Sequence, residues 1–167
     1  ASAPAQIALR QAQTLGTASP ATGPTTAGHA ALGFTPSGHS LLAKEIAAGD
    51  PGQDAAQLER VFSELYRQYL GAFREENERL GMPLHDLAAA FTSYVVMSYL
   101  YANELPAIDA ETSLAVYHQS AGLFLANDAL ASLQERDREL LAETFVVMGA
   151  TPRLIFDETR DPVRRRQ

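Results

Sequence analysis

The sequence has no cysteine and no tryptophan, and its 13 basic residues include a single lysine. Without cysteine the chain forms no disulfide, no thiolate metal site and no thiol nucleophile, so these three kinds of chemistry are excluded. The 20 acidic residues outnumber the basic ones and give a net charge of -7. Because nucleic-acid binding proteins need a positive surface that displaces counterions from phosphates, this balance argues against a nucleic-acid partner.

Charge is also nearly missing from the first 36 residues, where Arg10 is the one charged side chain among Ala, Gly, Pro, Ser and Thr. This segment has too little apolar periodicity to build a core. We therefore predict that residues 1–36 form a disordered or extended leader. The candidate anchors between this leader and a folded domain are its few large apolar side chains, Ile7, Leu9, Leu32 and Phe34.

The chain begins Ala-Ser-Ala-Pro-Ala, without methionine. Small residues of this kind remain when a signal peptidase cuts its substrate, so we expect an exported protein, either periplasmic or secreted. The alternative is a boundary at an arbitrary point of a longer chain, which leaves the same start. Because the chain has no cysteine, its composition does not indicate whether it resides in an oxidising or a reducing compartment. Composition therefore excludes neither the cytosol nor the periplasm.

Helical periodicity begins at residue 37 and predicts one domain over residues 37–158, followed by a charged tail at 159–167. The pattern contains no convincing alternation typical of strands and no internal repeat, so we predict an all-α fold, a single bundle of about five helices. Capping and helix-breaking residues give the bounds of these helices. The first lies near 38–48, the second runs from Asp50 or Asp54 to Gly81, and the third covers 83–103. The fourth runs from Asp109 to Asn127, and the fifth runs from a capping box at 132–135 to a stop at Gly149 and Pro152.

The third predicted helix is apolar nearly all round, because no charged residue occurs from Leu87 to Asn103. These seventeen residues are at the lower limit for crossing a bilayer, and several serines, threonines and tyrosines reduce their hydrophobicity. We therefore predict the central helix of the bundle and no membrane span. The second helix carries an apolar stripe over residues 58–80, which packs inside a monomer or joins two copies as a homodimer.

Three short segments give residues 32–150 a resemblance to a known group of proteins. The segments are LGFTPS at 32–37, GMPLHDLAAA at 81–90 with Tyr94 after it, and Gln134 with LAE at 141–143. With these motifs the sequence resembles an uncharacterised family of exported bacterial helical proteins, labelled as a domain of unknown function. The resemblance implies a bacterial origin and export, and it supplies no activity.

The best acid–base candidates for catalysis are the neighbours His85 and Asp86, since a carboxylate can orient and tune an imidazole. Adjacent helical residues point about 100° apart, however, and Asp86 already suits a helix N-terminus as a negative side chain. No nucleophile elbow is present, and Lys44 follows Ser40 by four positions where a Ser-x-x-Lys motif needs three. An enzyme is the less favoured expectation, with a hydrolase centred on His85 as the alternative.

The four histidines, at positions 29, 39, 85 and 118, include no pair at the spacing that places two ligands on one helix face. Phosphate-binding loops, dinucleotide fingerprints and calcium loops are also absent from the sequence. We therefore predict no metal site and no cofactor.

Tyrosines provide the remaining functional hint, because a buried hydroxyl needs a partner. Tyr94 and Tyr99 in the central helix and Tyr117 in the fourth are candidate ligand-binding residues; in the alternative interpretation their tips only reach the bundle surface. The leading hypothesis is a noncatalytic exported domain that binds a protein partner in the cell envelope. The second is a bundle that binds a small apolar ligand in its core, between the third and fourth helices.

Overall fold

The computed structural model of the protein describes residues 30–50, 52 and 54–160. The regular secondary structure of these residues is helical. Residues 30–32 are helical, and six helices follow, namely α1 (Leu41–Gly49), α2 (Ala55–Leu80), α3 (Leu87–Ala102), α4 (Ala110–Ala126), α5 (Asp128–Ala131) and α6 (Glu135–Arg160). This part of the chain contains no β-strand, and an isolated bridge joins Gly33 to Asp86. The predicted all-α fold is confirmed.

The central position of α3 is confirmed by its contacts and by its burial. It packs against α4 and along α6, and seven of its residues are buried, namely Leu87, Ala88, Ala89, Ala90, Thr92, Ser93 and Val96. The small side chains near its start allow neighbouring helices to approach closely. Packing therefore explains why this helix carries no charged residue. No helix in the described part of the chain has both the length and the apolar character of a membrane span.

Carboxylate side chains start three of the long helices, because each accepts hydrogen bonds from backbone N–H groups that have no partner within the helix. Asp54 accepts from Ala56 N at 3.0 Å to begin α2, and Asp109 accepts from Thr112 N at 2.7 Å to begin α4. Gly81 ends α2 with a φ of 70°, in the left-handed region that glycine adopts without a steric penalty. These boundaries agree with the sequence expectations.

The predicted starts of the first and third helices are wrong by a few residues. Gly38 has a φ of 79°, which no helix accommodates, and α1 therefore begins only after Ser40, whose Oγ accepts from Ala43 N at 3.0 Å. Asp86 is extended and pairs with Gly33, so α3 begins at Leu87 and Pro83 lies in the preceding loop instead of the first helical turn.

The predicted capping box and the predicted stop of the last helix are also wrong. The Ser132 hydroxyl donates back to Ala129 O at 3.3 Å, and the Glu135 carboxylate accepts from Thr35 N at 2.5 Å instead of capping its own helix. Helix α6 continues through Gly149 and Pro152 to Arg160. The predicted tail therefore starts inside α6, and residues 161–167 lie outside the described residues.

The last part of the predicted leader is built into the domain. Leu32 is fully buried and Phe34 nearly so, which confirms two of the four proposed anchors. Ile7 and Leu9 lie outside the described residues. Residues 33–42, named the strap below, include Phe34 and the first two residues of α1, and they bond to side chains of α6.

The strap is held by side chains spaced four residues apart on α6. The carboxylate of Glu135 accepts from Thr35 N at 2.5 Å, and that of Glu139 accepts from Ser37 N at 2.7 Å. The third, Glu143, is 5% exposed and accepts from the Ser40 hydroxyl and from Leu42 N, the latter at 3.0 Å. The bond from Thr35 holds the pKa of Glu135 below its usual value.

Candidate functional site

A groove lies between α2, α3 and α6 and has a cavity volume of about 230 Å³. Its walls contain no side chain that is charged at neutral pH. The twelve lining residues are Leu65, Gln68, Tyr69, Ala72 and Phe73 of α2, Ser93, Tyr94 and Met97 of α3, and Phe145, Val146, Gly149 and Ala150 of α6. The groove is therefore mainly apolar and aromatic, with a small number of polar groups.

Two buried hydroxyls form one polar contact in the groove, whose lining also includes Gln68 and Tyr94. The hydroxyl oxygens of Tyr69 and Ser93 are 3.2 Å apart, and each of these residues is 8% exposed. The Ser93 hydroxyl donates its one hydrogen to Ala89 O at 3.0 Å, so it accepts the hydrogen of Tyr69. Burial raises the pKa of Tyr69 to about 12, and its phenol is therefore protonated at neutral pH.

Aromatic rings form the wall of the groove where α3 meets α6. The ring of Tyr94 stacks against that of Phe145 with centroids 5.9 Å apart, and Phe91 meets Phe145 edge-on at 5.0 Å. On the opposite wall, the rings of Tyr69 and Phe73 are 5.0 Å apart. Ring contacts of this kind are stabilised beyond the burial of their area, so these walls keep their shape.

Gly149 sets the distance between α3 and α6 at the groove. A Cβ atom on this glycine would lie 3.3 Å from Cα of Tyr94, which is backbone and cannot turn aside. Gly149 is therefore a packing residue in the interior of α6, where the sequence suggested a helix stop.

We expect Gly149→Leu to lower the free energy of unfolding by about 2 kcal/mol, because the added side chain overpacks the contact with Tyr94. The matched control is Gly122→Leu, since a Cβ on Gly122 meets no atom within 4 Å and helix propensity then favours the variant. Urea unfolding followed by circular dichroism measures both. Equal stability of the two variants would contradict the close approach of α3 and α6.

The structure separates the three tyrosines that the sequence suggested as ligand-binding residues. Tyr94 lines the groove, whereas Tyr99 is 50% exposed and Tyr117 is 1% exposed in the core. The groove also lies between α2, α3 and α6 instead of between the third and fourth helices. Helices α3 and α4 leave less room because Phe91 and Phe124 pack between them, with ring centroids 5.3 Å apart.

His85 and Asp86 lie at the N-terminal end of α3 and do not line the groove. Asp86 is fully buried, and its Oδ1 accepts from Ala89 N at 3.0 Å as the cap of the helix. The His85 ring lies 5.9 Å from that of Phe34, and its Nδ1 is buried without a hydrogen-bond partner among the described residues. Burial lowers the pKa of His85, as does the charge of Arg74.

The other histidines are dispersed. His39 is exposed and its Nδ1 lies 3.1 Å from Ser37 O, while the ring of His118 is 5.5 Å from that of Tyr117. Within residues 30–50, 52 and 54–160, no three His, Asp or Glu side chains are placed to hold a metal ion. His29 lies outside the described residues.

Comparison with known proteins connects this bundle to one family. The model of a family of unknown function (DUF6683) matches residues 3–160. The chain belongs to this family. Membership in the DUF6683 family confirms the resemblance to an uncharacterised domain and extends it beyond residues 32–150. Searches of curated proteins and of solved structures found no match.

Proposed function

We propose that the protein binds a small, uncharged and largely apolar molecule in the groove between α2, α3 and α6. The observation that carries this proposal is the buried hydroxyl pair of Tyr69 and Ser93, which lies in a lining whose other residues, apart from Gln68, are apolar or aromatic. Ligand sites typically combine an apolar lining with a few polar groups that fix orientation. The groove has this composition.

The size of the groove restricts the ligand. An apolar cavity of about 150 Å³ binds benzene, whereas drug-sized ligands need roughly 300–1,000 Å³. The groove, at about 230 Å³, lies between these limits. A molecule of one or two rings, or a short branched chain, is therefore the class of ligand that fits.

Charge restricts the ligand further. Moving an ionised carboxylate or ammonium group out of water has a large free-energy cost unless an opposite charge compensates it. The lining offers no such charge, and the nearby Glu64 is already bonded to Arg67 at the surface of α2. Neutral molecules are favoured for this reason.

The proposal is tested with 2-methoxynaphthalene as a neutral two-ring probe and with two tryptophan variants. Ala72 is an exposed residue of the groove wall, so Ala72→Trp is expected to fill the groove and weaken binding at least tenfold. Ala115→Trp places the same side chain at an exposed position of α4 outside the groove and should leave binding unchanged.

Isothermal titration calorimetry gives the affinities, and NMR shift changes at Ser93 and Gly149 locate the probe. Absence of binding to the unmodified chain, or equal binding to the two variants, would contradict the proposal. Export and a protein partner in the cell envelope stay predictions from the sequence, as does a hydrolase around His85.

A further inference from the structure

The direction of the hydrogen bonds at Tyr69 and Ser93 determines what a ligand must offer to this buried pair. A serine or tyrosine hydroxyl has one hydrogen to donate and lone pairs with which to accept. Ser93 donates to Ala89 O, a carbonyl that only accepts. The hydrogen between Tyr69 and Ser93 therefore comes from Tyr69.

The two hydrogen bonds therefore point in one direction: Tyr69 donates to Ser93, and Ser93 donates to the carbonyl of Ala89. With its hydrogen in use, the Tyr69 oxygen has only lone pairs to present to a molecule in the groove. An incoming hydroxyl or amide N–H meets an acceptor there. A ketone, ether or carboxylate oxygen meets another oxygen without a hydrogen between them.

Desolvation makes this difference larger than it would be at an exposed site. Both hydroxyl residues are more than nine-tenths buried, and a buried polar group that lacks a partner is costly. The phenol also stays protonated at neutral pH, because burial raises its pKa to about 12. The direction of these two hydrogen bonds is therefore maintained across the physiological pH range.

We infer that the groove selects neutral ligands that donate a hydrogen bond, that is, small apolar alcohols or phenols, over ethers, ketones and carboxylates of the same shape. This inference rests on the proposed function and names the chemical class of its ligand. Tyr69 is the residue that receives the ligand's hydrogen, and Ser93 is the positioning residue that fixes the direction of the Tyr69 hydroxyl.

The test compares three probes with one ring system: 2-naphthol, 2-methoxynaphthalene and 2-naphthoate at pH 7. We expect naphthol to bind about tenfold more tightly than the methyl ether, which is a typical consequence of one neutral hydrogen bond in a buried site. Naphthoate is expected to bind more weakly than both. Calorimetry measures the three affinities, and NMR shifts at Ser93 and Gly149 confirm the same binding site.

Two variants separate the direction of the bond from general packing. In Tyr69→Phe the acceptor is gone, so the preference for naphthol over its methyl ether should disappear. In Ser93→Ala the Tyr69 hydroxyl loses its acceptor and becomes free to donate to the ligand, so affinity for the methyl ether should rise. A purely steric role for Ser93 would move both affinities together.

Each outcome has a separate meaning. Equal binding of naphthol and methoxynaphthalene in the groove would overturn the donor requirement and leave the proposed function standing. Failure of all three probes to bind would overturn both. A preference for naphthol that persists in Tyr69→Phe would show that another group receives the ligand's hydrogen and would also overturn the inference.

Discussion

Replacing Leu32 by alanine is expected to lower the free energy of unfolding by about 3 kcal/mol, the usual effect of truncating a fully buried leucine. Leu32 is 0% exposed and packs in the main core cluster, although it belongs to a stretch of sequence that resembles a leader. The lost stability has two parts: the free energy of transferring the removed methyl groups from water into the core, and the cost of the cavity that remains. Urea unfolding followed by circular dichroism measures the change.

The matched control is Leu123→Ala on α4, where the leucine is 55% exposed. This variant should differ from the unmodified chain by less than about 0.5 kcal/mol. If both variants lose the same small amount, Leu32 is not packed in solution. The predicted leader would then include Leu32.

Glu143→Ala is expected to have an effect of similar size, about 3 kcal/mol, because it leaves two donors without their acceptor. These are the Ser40 hydroxyl and the backbone N–H of Leu42, both at the start of α1. The side chain of Glu143 is almost fully buried, so water replaces its carboxylate poorly. Amide hydrogen exchange at Leu42 should accelerate together with the loss of stability.

Two comparisons test this interpretation of Glu143. Glu143→Gln keeps one oxygen acceptor and should recover part of the loss. Glu75→Ala removes an exposed glutamate from the interior of α2 and should change stability by less than about 0.5 kcal/mol. A Glu143→Ala variant as stable as Glu75→Ala would contradict the role of the carboxylate in holding the strap.

The sequence predicted the helices well where their limits depend on local chemistry. Asp54, Gly81 and Asp109 mark boundaries that the structure confirms, because a cap acts within one turn of its own helix. The errors arise where distant residues decide. The start of α3 depends on the pairing of Asp86 with Gly33, and Glu135 bonds to Thr35, which lies 100 positions away.

The groove was harder to predict than the fold. Helix α3 is apolar on nearly every side, so its periodicity does not show which of its residues face α2 or α6. A tyrosine in an apolar helix, such as Tyr94, indicates a candidate ligand-binding residue, whereas nothing in the sequence distinguishes Ser93 from any other small polar residue. Gly149 predicts a helix stop from the sequence alone, because a glycine needed for close packing has the same sequence signal as one that ends a helix.

The strap also determines the order in which the chain can fold. Gly33, Thr35 and Ser37 bond to residues that follow them by 105, 100 and 102 positions. A ribosome adds about 5–20 residues per second, so these residues wait roughly 5–20 s before α6 is synthesised. Contacts between such distant positions form slowly, because the loop must close before they stabilise it. We expect docking of the strap to be the last step of folding, and until then Leu32 and Phe34 remain exposed to chaperones and to aggregation.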